Sequence, residues 1–299
     1  MRALFFEAGR AGVREVRRPA PRTGFSLVRV LLSGICSTDL ELKRGYHAFR
    51  GIPGHEFVGV VKGPAGFPLL GRRVVGEINL ACGRCGWCAR GLGRHCPRRT
   101  VLGIRGHAGA HAEWLTLPES NLHLVPDGVA DDEAVFTEPL AAACEILDQV
   151  PVPSGTRTAV LGPGKLGRLA AAVLRIAGAE VALLGRATRA KAGSFDLVVE
   201  ATGSPDGIAR ALSLVRPRGT IVWKSTHHGP ARFDAAPLVV NEVTVVGSRC
   251  GRFGPALDLL ASRRVDVRPL VSSVFPLESA ARALKEASRP GVLKVLLKP

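Results

Sequence analysis

The chain has 299 residues, of which 46% are hydrophobic and 22% charged, enough for two domains with separate cores and unlike a disordered or fibrous composition. Its longest apolar stretches are broken by Lys165, Arg168 and Arg175, and Glu7 interrupts any signal-type apolar run, so no membrane association and a cytoplasmic location are expected. The net charge of +16 comes from Arg spread along the chain in short doublets such as Arg17-Arg18 and Arg72-Arg73. With no aromatic platform or recognition-helix motif beside it, that charge reads as composition bias that attracts anionic small molecules, not as a nucleic-acid surface.

In chain order, residues 1–35 alternate apolar and polar positions between Gly and Pro, as short antiparallel strands do. Short strands and turns continue to about residue 126. At Asp131-Asp132-Glu133 the texture changes, and one helix is expected over 131–147, its acids at the positive end of the helix dipole. A strand (158–161), a Gly turn, a helix (165–177) and a strand (180–184) then form a βαβ unit. Strands follow at 195–200, 220–223 and 243–247, with helices at 205–215, 255–262 and 277–287 and a closing strand at 292–297. A β-rich region followed by βαβ units implies two domains and a ligand cleft between them.

Seven cysteines are unevenly placed. Cys82, Cys85, Cys88 and Cys96 have C-x2-C-x2-C-x7-C spacing, and the glycines among them let the backbone fold around one tetrahedral zinc. Four thiolates leave no open coordination position, so that zinc is expected to be structural. Cys36, in Gly34-Ile35-Cys36-Ser37-Thr38-Asp39, and His55-Glu56, after Pro53-Gly54, offer a different donor set. Mixed sulfur, nitrogen and oxygen ligation by three groups leaves one position for substrate, as in a catalytic zinc. Glu138, in Thr137-Glu138-Pro139-Leu140, is a second carboxylate candidate.

Gly162-Pro163-Gly164-Lys165-Leu166-Gly167 follows a predicted strand and opens a predicted helix. In that context a G-x-G-x-x-G turn lets a pyrophosphate approach the backbone at a helix N-terminus. Downstream of the second strand stand Arg186, Arg189 and Lys191 with no acid before Asp196, which favours the 2′-phosphate of NADP over NAD.

Taken in order, these motifs resemble the zinc-containing medium-chain dehydrogenase/reductase family, which includes alcohol, sorbitol, threonine and glucose dehydrogenases. The resemblance implies an α/β protein with a GroES-like β-rich catalytic domain, 1–141 with 253–299, and a Rossmann nucleotide-binding domain, 142–252. It implies that Cys36 and His55 bind the catalytic zinc with Glu56 or Glu138 as third ligand, the Glu138 position resembling the polyol and sugar branch. By the same resemblance Thr38 relays the substrate proton and Asp39 orients His55. Relatives carry a His five residues after the ligand Cys to pass the proton outward; here that position is Glu41, so Glu41 or His47 substitutes, or the relay is shorter.

Thr202 is expected to face the nicotinamide half of the cofactor, and Lys294 matches a position at which relatives contact the pyrophosphate. Tyr46, Phe49 and Trp114 are candidates for the substrate pocket or the core. Relatives have several tens of residues where this chain has only 186–194, so a shortened Rossmann sheet of order 2-1-4-5-6 is expected. The expected substrate is an alcohol, polyol or sugar and the expected assembly a homo-oligomer, a dimer or tetramer. A weakly active or non-catalytic NADPH-binding member of the fold, and a zinc-free quinone or enoyl reductase, stand as alternatives.

Overall fold

The structure is a computed structural model that describes residues 1–226 and 229–299. For His47 only the backbone is described, so the relay role expected of its side chain lies outside the described residues. The strands, in chain order, are β1 (Arg2–Glu7), β2 (Arg10–Glu15), β3 (Phe25–Gly34), β4 (Glu56–Gly63), β5 (Arg73–Gly76), β6 (Asn79–Leu80), β7 (Thr100–Leu102), β8 (Gly106–His107), β9 (Trp114–Pro118) and β10 (Leu122–Leu124), then β11 (Arg157–Leu161), β12 (Glu180–Leu184), β13 (Phe195–Glu200), β14 (Val215–Trp223), β15 (Thr244–Gly247), β16 (Val271–Pro276) and β17 (Lys294–Lys298). The helices are α1 (Ser37–Lys43), α2 (Gly86–Ala89), α3 (Asp131–Ala134), α4 (Thr137–Gln149), α5 (Lys165–Ile176), α6 (Gly207–Leu214), α7 (Ala236–Val240), α8 (Phe253–Ala261) and α9 (Ala280–Ala287). None is long and apolar enough to cross a membrane.

Two compact units result, Met1–Glu138 with Ala256–Pro299, and Pro139–Pro255. In the first, a seven-stranded sheet runs β10-β5-β4-β3-β17-β16, with β9 also pairing with β3. The strand β17 thus lies beside β3, and its Val295 and Leu297 join Leu4, Phe6, Ile35, Leu42 and Leu284 in one core. Tyr46 and Phe49 pack on that core, with Phe49 edge-on to Phe6, and Trp114 is covered by the Arg18 guanidinium at 3.7 Å. Of the two roles open to these aromatics, packing describes Tyr46 and Phe49.

The second unit holds a parallel sheet of order β12-β11-β13-β14-β15, the shortened arrangement expected. Strand β11 is buried on both faces from Thr158 to Leu161, as a central parallel strand requires. Helix α5 buries Leu169, Ala170, Val173 and Leu174, one apolar stripe at helical spacing.

The single helix expected over 131–147 is instead two, α3 and α4. Pro139 has no N–H to bond the carbonyl of Val135, and its ring would clash with that carbonyl in a continuous helix. Glu133 closes the start of α3 by accepting the Ala130 N–H at 2.9 Å, and the Thr137 hydroxyl donates to Ala134 O at 2.7 Å across the break.

Candidate functional site

Strand β3 ends at Gly34, and the chain turns at once into α1 with Cys36 as its N-cap. Asp39, at the third helical position, reaches back to accept the Cys36 N–H at 2.8 Å, the carboxylate half of a capping box. Its other oxygen accepts the Gly54 N–H at 3.1 Å. Gly54 has φ 99, and a Cβ there would sit 2.7 Å from the His111 ring, so the turn before β4 tolerates glycine alone. One wholly buried carboxylate therefore ties together the two segments that carry Cys36 and His55.

Cys36, His55 and Glu56 each bring a ligand atom to within 4.8 Å of the others. His55 is 3% exposed and its Nδ1, which has no hydrogen-bond partner, faces Asp39 Oδ1 at 3.7 Å. Burial disfavours the imidazolium, but the Asp39 carboxylate, then Cys36 and Glu138, outweigh it and raise His55 to about 10. Burial likewise opposes the charged form of Asp39, yet His55 and His111 hold it well below the usual carboxylate range. Surroundings that favour a positive charge on this buried imidazole also favour a bound dication at the same place. The thiol, imidazole and carboxylate donors, with an orphaned Nδ1 aimed at a carboxylate, fit a zinc ion.

Lys294, expected at the pyrophosphate, requires a correction. It is fully buried, and its ammonium is paired with the Glu56 carboxylate. Register explains the placement: Gly34 lies opposite Glu56 on β4 and opposite Leu296 on β17, and Lys294 is two residues from Leu296 on the same face. Gly34 makes the room, because a Cβ there would lie 2.6 Å from Glu56 Oε2 and 3.3 Å from Lys294 Cδ. Burial opposes the ammonium, but Glu56, with Cys36 and Glu138, raises its pKa. Glu138 lies in the first turn of α4, outside the group of three ligand atoms, while its charge acts on both His55 and Lys294.

Thr38 is half-buried, with Oγ1 3.7 Å from Cys36 Sγ. Glu41 is paired with Arg44, and no hydrogen bond among the described residues joins it to Thr38. Sequence reasoning missed His111 and Ser33. His111 is fully buried, its Nε2 3.4 Å from Asp39 and its Nδ1 2.9 Å from the Ser33 hydroxyl. A lone His in Gly-Ala-His-Ala carries no local signal; only the sheet brings it to Asp39.

In the cysteine lobe the four sulfurs also lie within 4.8 Å of one another, with Cys85–Cys88, Cys85–Cys96 and Cys82–Cys88 at 3.4, 3.7 and 4.0 Å. Sulfurs about 2.3 Å from a tetrahedral centre stand ~3.8 Å apart, so the lobe has the dimensions of a closed four-thiolate zinc site. The Arg84 backbone N–H draws the Cys82 thiol down to about 6, while burial and the neighbouring Cys85 push Cys88 up to about 11.

In the second unit, β11 runs into Gly162 at φ 95, where a Cβ would meet Ala201 O at 2.7 Å. A Cβ on Gly167 would stand 1.9 Å from Gly162 O, so this glycine sets how closely α5 approaches the turn. Gly164 is the N-cap of α5 and, like the partly exposed Lys165 and Leu166, lies beside the turn. After β12 the chain is held by Arg210, which donates to Gly185 O at 2.8 Å and Thr188 O at 2.7 Å. Arg186, Arg189 and Lys191 are exposed on that segment. Thr202 is already occupied: its N–H and hydroxyl both donate to the buried Glu200, and its oxygen accepts the Ser204 N–H.

Residues 23–127 match the alcohol dehydrogenase GroES-like domain family, and residues 170–262 match the zinc-binding dehydrogenase family. A sorbitol dehydrogenase of Halalkalibacterium halodurans is 27% identical over 332 aligned residues, covering 97% of this chain and 96% of that protein. The alcohol dehydrogenase TADH from Thermus sp. ATN1 superposes with a TM-score of 0.90 at 31% identity, covering 100% of this chain and 99% of that one. A zinc-binding dehydrogenase-type protein from Sinorhizobium meliloti 1021, solved bound to NADP, gives 0.89 at 26% identity, with 100% and 99% coverage. With a GroES-like unit, a Rossmann-type parallel sheet and these relatives, the chain belongs to the zinc-type medium-chain dehydrogenase/reductase family of oxidoreductases.

Proposed function

We propose that this oxidoreductase is a zinc-dependent dehydrogenase that oxidises a hydroxyl of an alcohol, polyol or sugar-type substrate with NADP in preference to NAD. The observation that carries the reading is the convergence of Cys36, His55 and Glu56 on one point beside a buried carboxylate, in a chain that also has a G-x-G-x-x-G strand–turn–helix. The first unit carries the metal and the second binds the dinucleotide.

Cys36 and His55 hold the metal, His55 through Nε2 because Nδ1 is turned to Asp39, with Glu56 or Glu138 completing the set. When bound, zinc supplies Lewis acidity that lowers the pKa of a substrate hydroxyl, and the nicotinamide supplies the hydride acceptor. Thr38 relays the substrate proton, its hydroxyl oxygen accepting it as the hydroxyl gives up its own proton toward solvent. Asp39 holds the His55 ring in one tautomer and orientation. Gly162, Gly164 and Gly167 let pyrophosphate reach the start of α5, with Lys165 and Leu166 beside it. Arg186, Arg189 and Lys191 receive the 2′-phosphate through charge-assisted hydrogen bonds. The similarity to a sorbitol dehydrogenase supports a polyol substrate, and the NADP bound by the Sinorhizobium relative supports the cofactor preference.

The short segment 186–194 favours a second reading, a weakly active member that binds NADPH. A screen of polyols, sugars and simple alcohols with each dinucleotide separates the two. Polyol-dependent NADPH formation supports the dehydrogenase; tight NADPH binding without turnover on any alcohol supports the alternative.

A further inference from the structure

We propose that His111, backed by Ser33, is a positioning residue that fixes the Asp39 carboxylate in the orientation that faces His55. The inference rests on the reading that Cys36 and His55 hold a metal.

Ser33, Asp39 and His111 are all fully buried, so each polar atom must find its partner inside the protein. Asp39 accepts from the Cys36 and Gly54 N–H groups, which lie one on either ligand-bearing segment. Those two bonds act from its own helix and from the turn before β4. His111 adds a third from a separate stretch of chain, Nε2 lying 3.4 Å from Asp39 Oδ2. A carboxylate only accepts, so Nε2 donates to it, and Nδ1 lies 2.9 Å from the Ser33 hydroxyl, which can partner that nitrogen as donor or acceptor. No side-chain polar atom of Ser33, His111 or Asp39 is among the buried ones that lack a partner.

The ring itself has little freedom. The His111 N–H donates to Pro53 O at 3.0 Å, its carbonyl accepts the Leu4 N–H at 2.8 Å, and the ring lies against Gly54 at the point where a Cβ would collide. The imidazole is thus braced against the residue that precedes His55. Without it, the carboxylate keeps its two backbone bonds but loses its third donor and the ring packed beside it, and Oδ1 is the polar atom that faces the otherwise unpartnered His55 Nδ1. Partners of this kind make a metal ligand more basic and hold its ring for coordination.

The test is the zinc dissociation constant of the full-length protein, read by competition with a chromophoric chelator, with the Cys82–Cys96 lobe as internal reference. His111→Phe is expected to weaken the Cys36–His55 site roughly 10- to 100-fold and leave the lobe unchanged. His111→Gln, whose amide N–H can reach Asp39, is expected to restore affinity to within a few-fold. Ser33→Ala, which deletes one oxygen, is expected to weaken the site by a smaller factor, and it decides the matter if the His111 variants do not fold. Unchanged zinc affinity in folded His111→Phe or Ser33→Ala overturns the positioning role, as does His111→Gln binding as weakly as the Phe variant. Wild-type protein that binds zinc only at the lobe overturns the metal reading together with it.

Discussion

Lys294 and Glu56, 238 residues apart in sequence, meet as a wholly buried ion pair beside Cys36 and His55. Removing one member of such a pair leaves a buried charge uncompensated, at a cost of about 3–5 kcal/mol, whereas replacing both by neutral groups of similar volume is far milder. Lys294→Met is therefore expected to lower the melting temperature by on the order of 10 °C, and Glu56→Gln combined with it to recover most of the loss. Calorimetry on the two variants measures this; equal losses in the single and the double variant would contradict it.

The cysteine lobe predicts a local and separable loss. Cys85→Ser is expected to bind one zinc fewer per chain and to melt at a lower temperature, while the Cys36–His55 site keeps its own. Metal analysis of the variant checks the count, and retention of the wild-type zinc content would refute the four-thiolate assignment.

For the dinucleotide, Arg186→Glu with Arg189→Glu replaces two exposed cations by anions on the segment after β12. Each charge-assisted bond to a phosphate contributes about 1.5–3 kcal/mol, so KM for NADP is expected to rise at least ~10-fold with that for NAD little changed. Gly167→Ala should weaken both dinucleotides alike, since its Cβ would stand 1.9 Å from Gly162 O and push α5 from the turn. Steady-state kinetics with both cofactors distinguishes these outcomes.

What could be read from sequence was what depends on neighbours in the chain. The Gly162–Gly167 turn, the helix that follows it and the spacing of Cys82, Cys85, Cys88 and Cys96 are local patterns, and the structure forms each of them. The trimmed sheet was legible too, because a doubly wound sheet can lose an edge strand without disturbing its centre. The break between α3 and α4 was missed although Pro139 signals it, the apolar periodicity having been read across it. The Lys294–Glu56 pair and the Ser33–His111–Asp39 chain had no such local signal. They depend on the register of β3, β4 and β17 and on the fold of residues 109–112, which no short motif encodes.

Asp196 gives the pH dependence. The Arg157 and Arg216 guanidinium groups, on either side of it, hold its carboxyl well below the usual range. A depressed folded-state pKa contributes stability that is present above the unfolded value of about 4 and is lost as pH falls below it. The two Arg side chains are largely exposed, so solvent screening limits the contribution to about 1 kcal/mol. Asp196→Asn is expected to melt a few degrees lower than wild type at pH 7 and to converge with it as the pH falls to about 2. A constant gap across that range in thermal melts would contradict the assignment.

The zinc content of purified Cys36→Ser, measured beside wild type together with polyol-dependent NADPH formation, bears most directly on the proposed chemistry. Two zinc ions per wild-type chain, one per variant chain and no turnover in the variant are predicted. Equal zinc in both proteins with undiminished turnover would contradict a catalytic metal at Cys36 and His55.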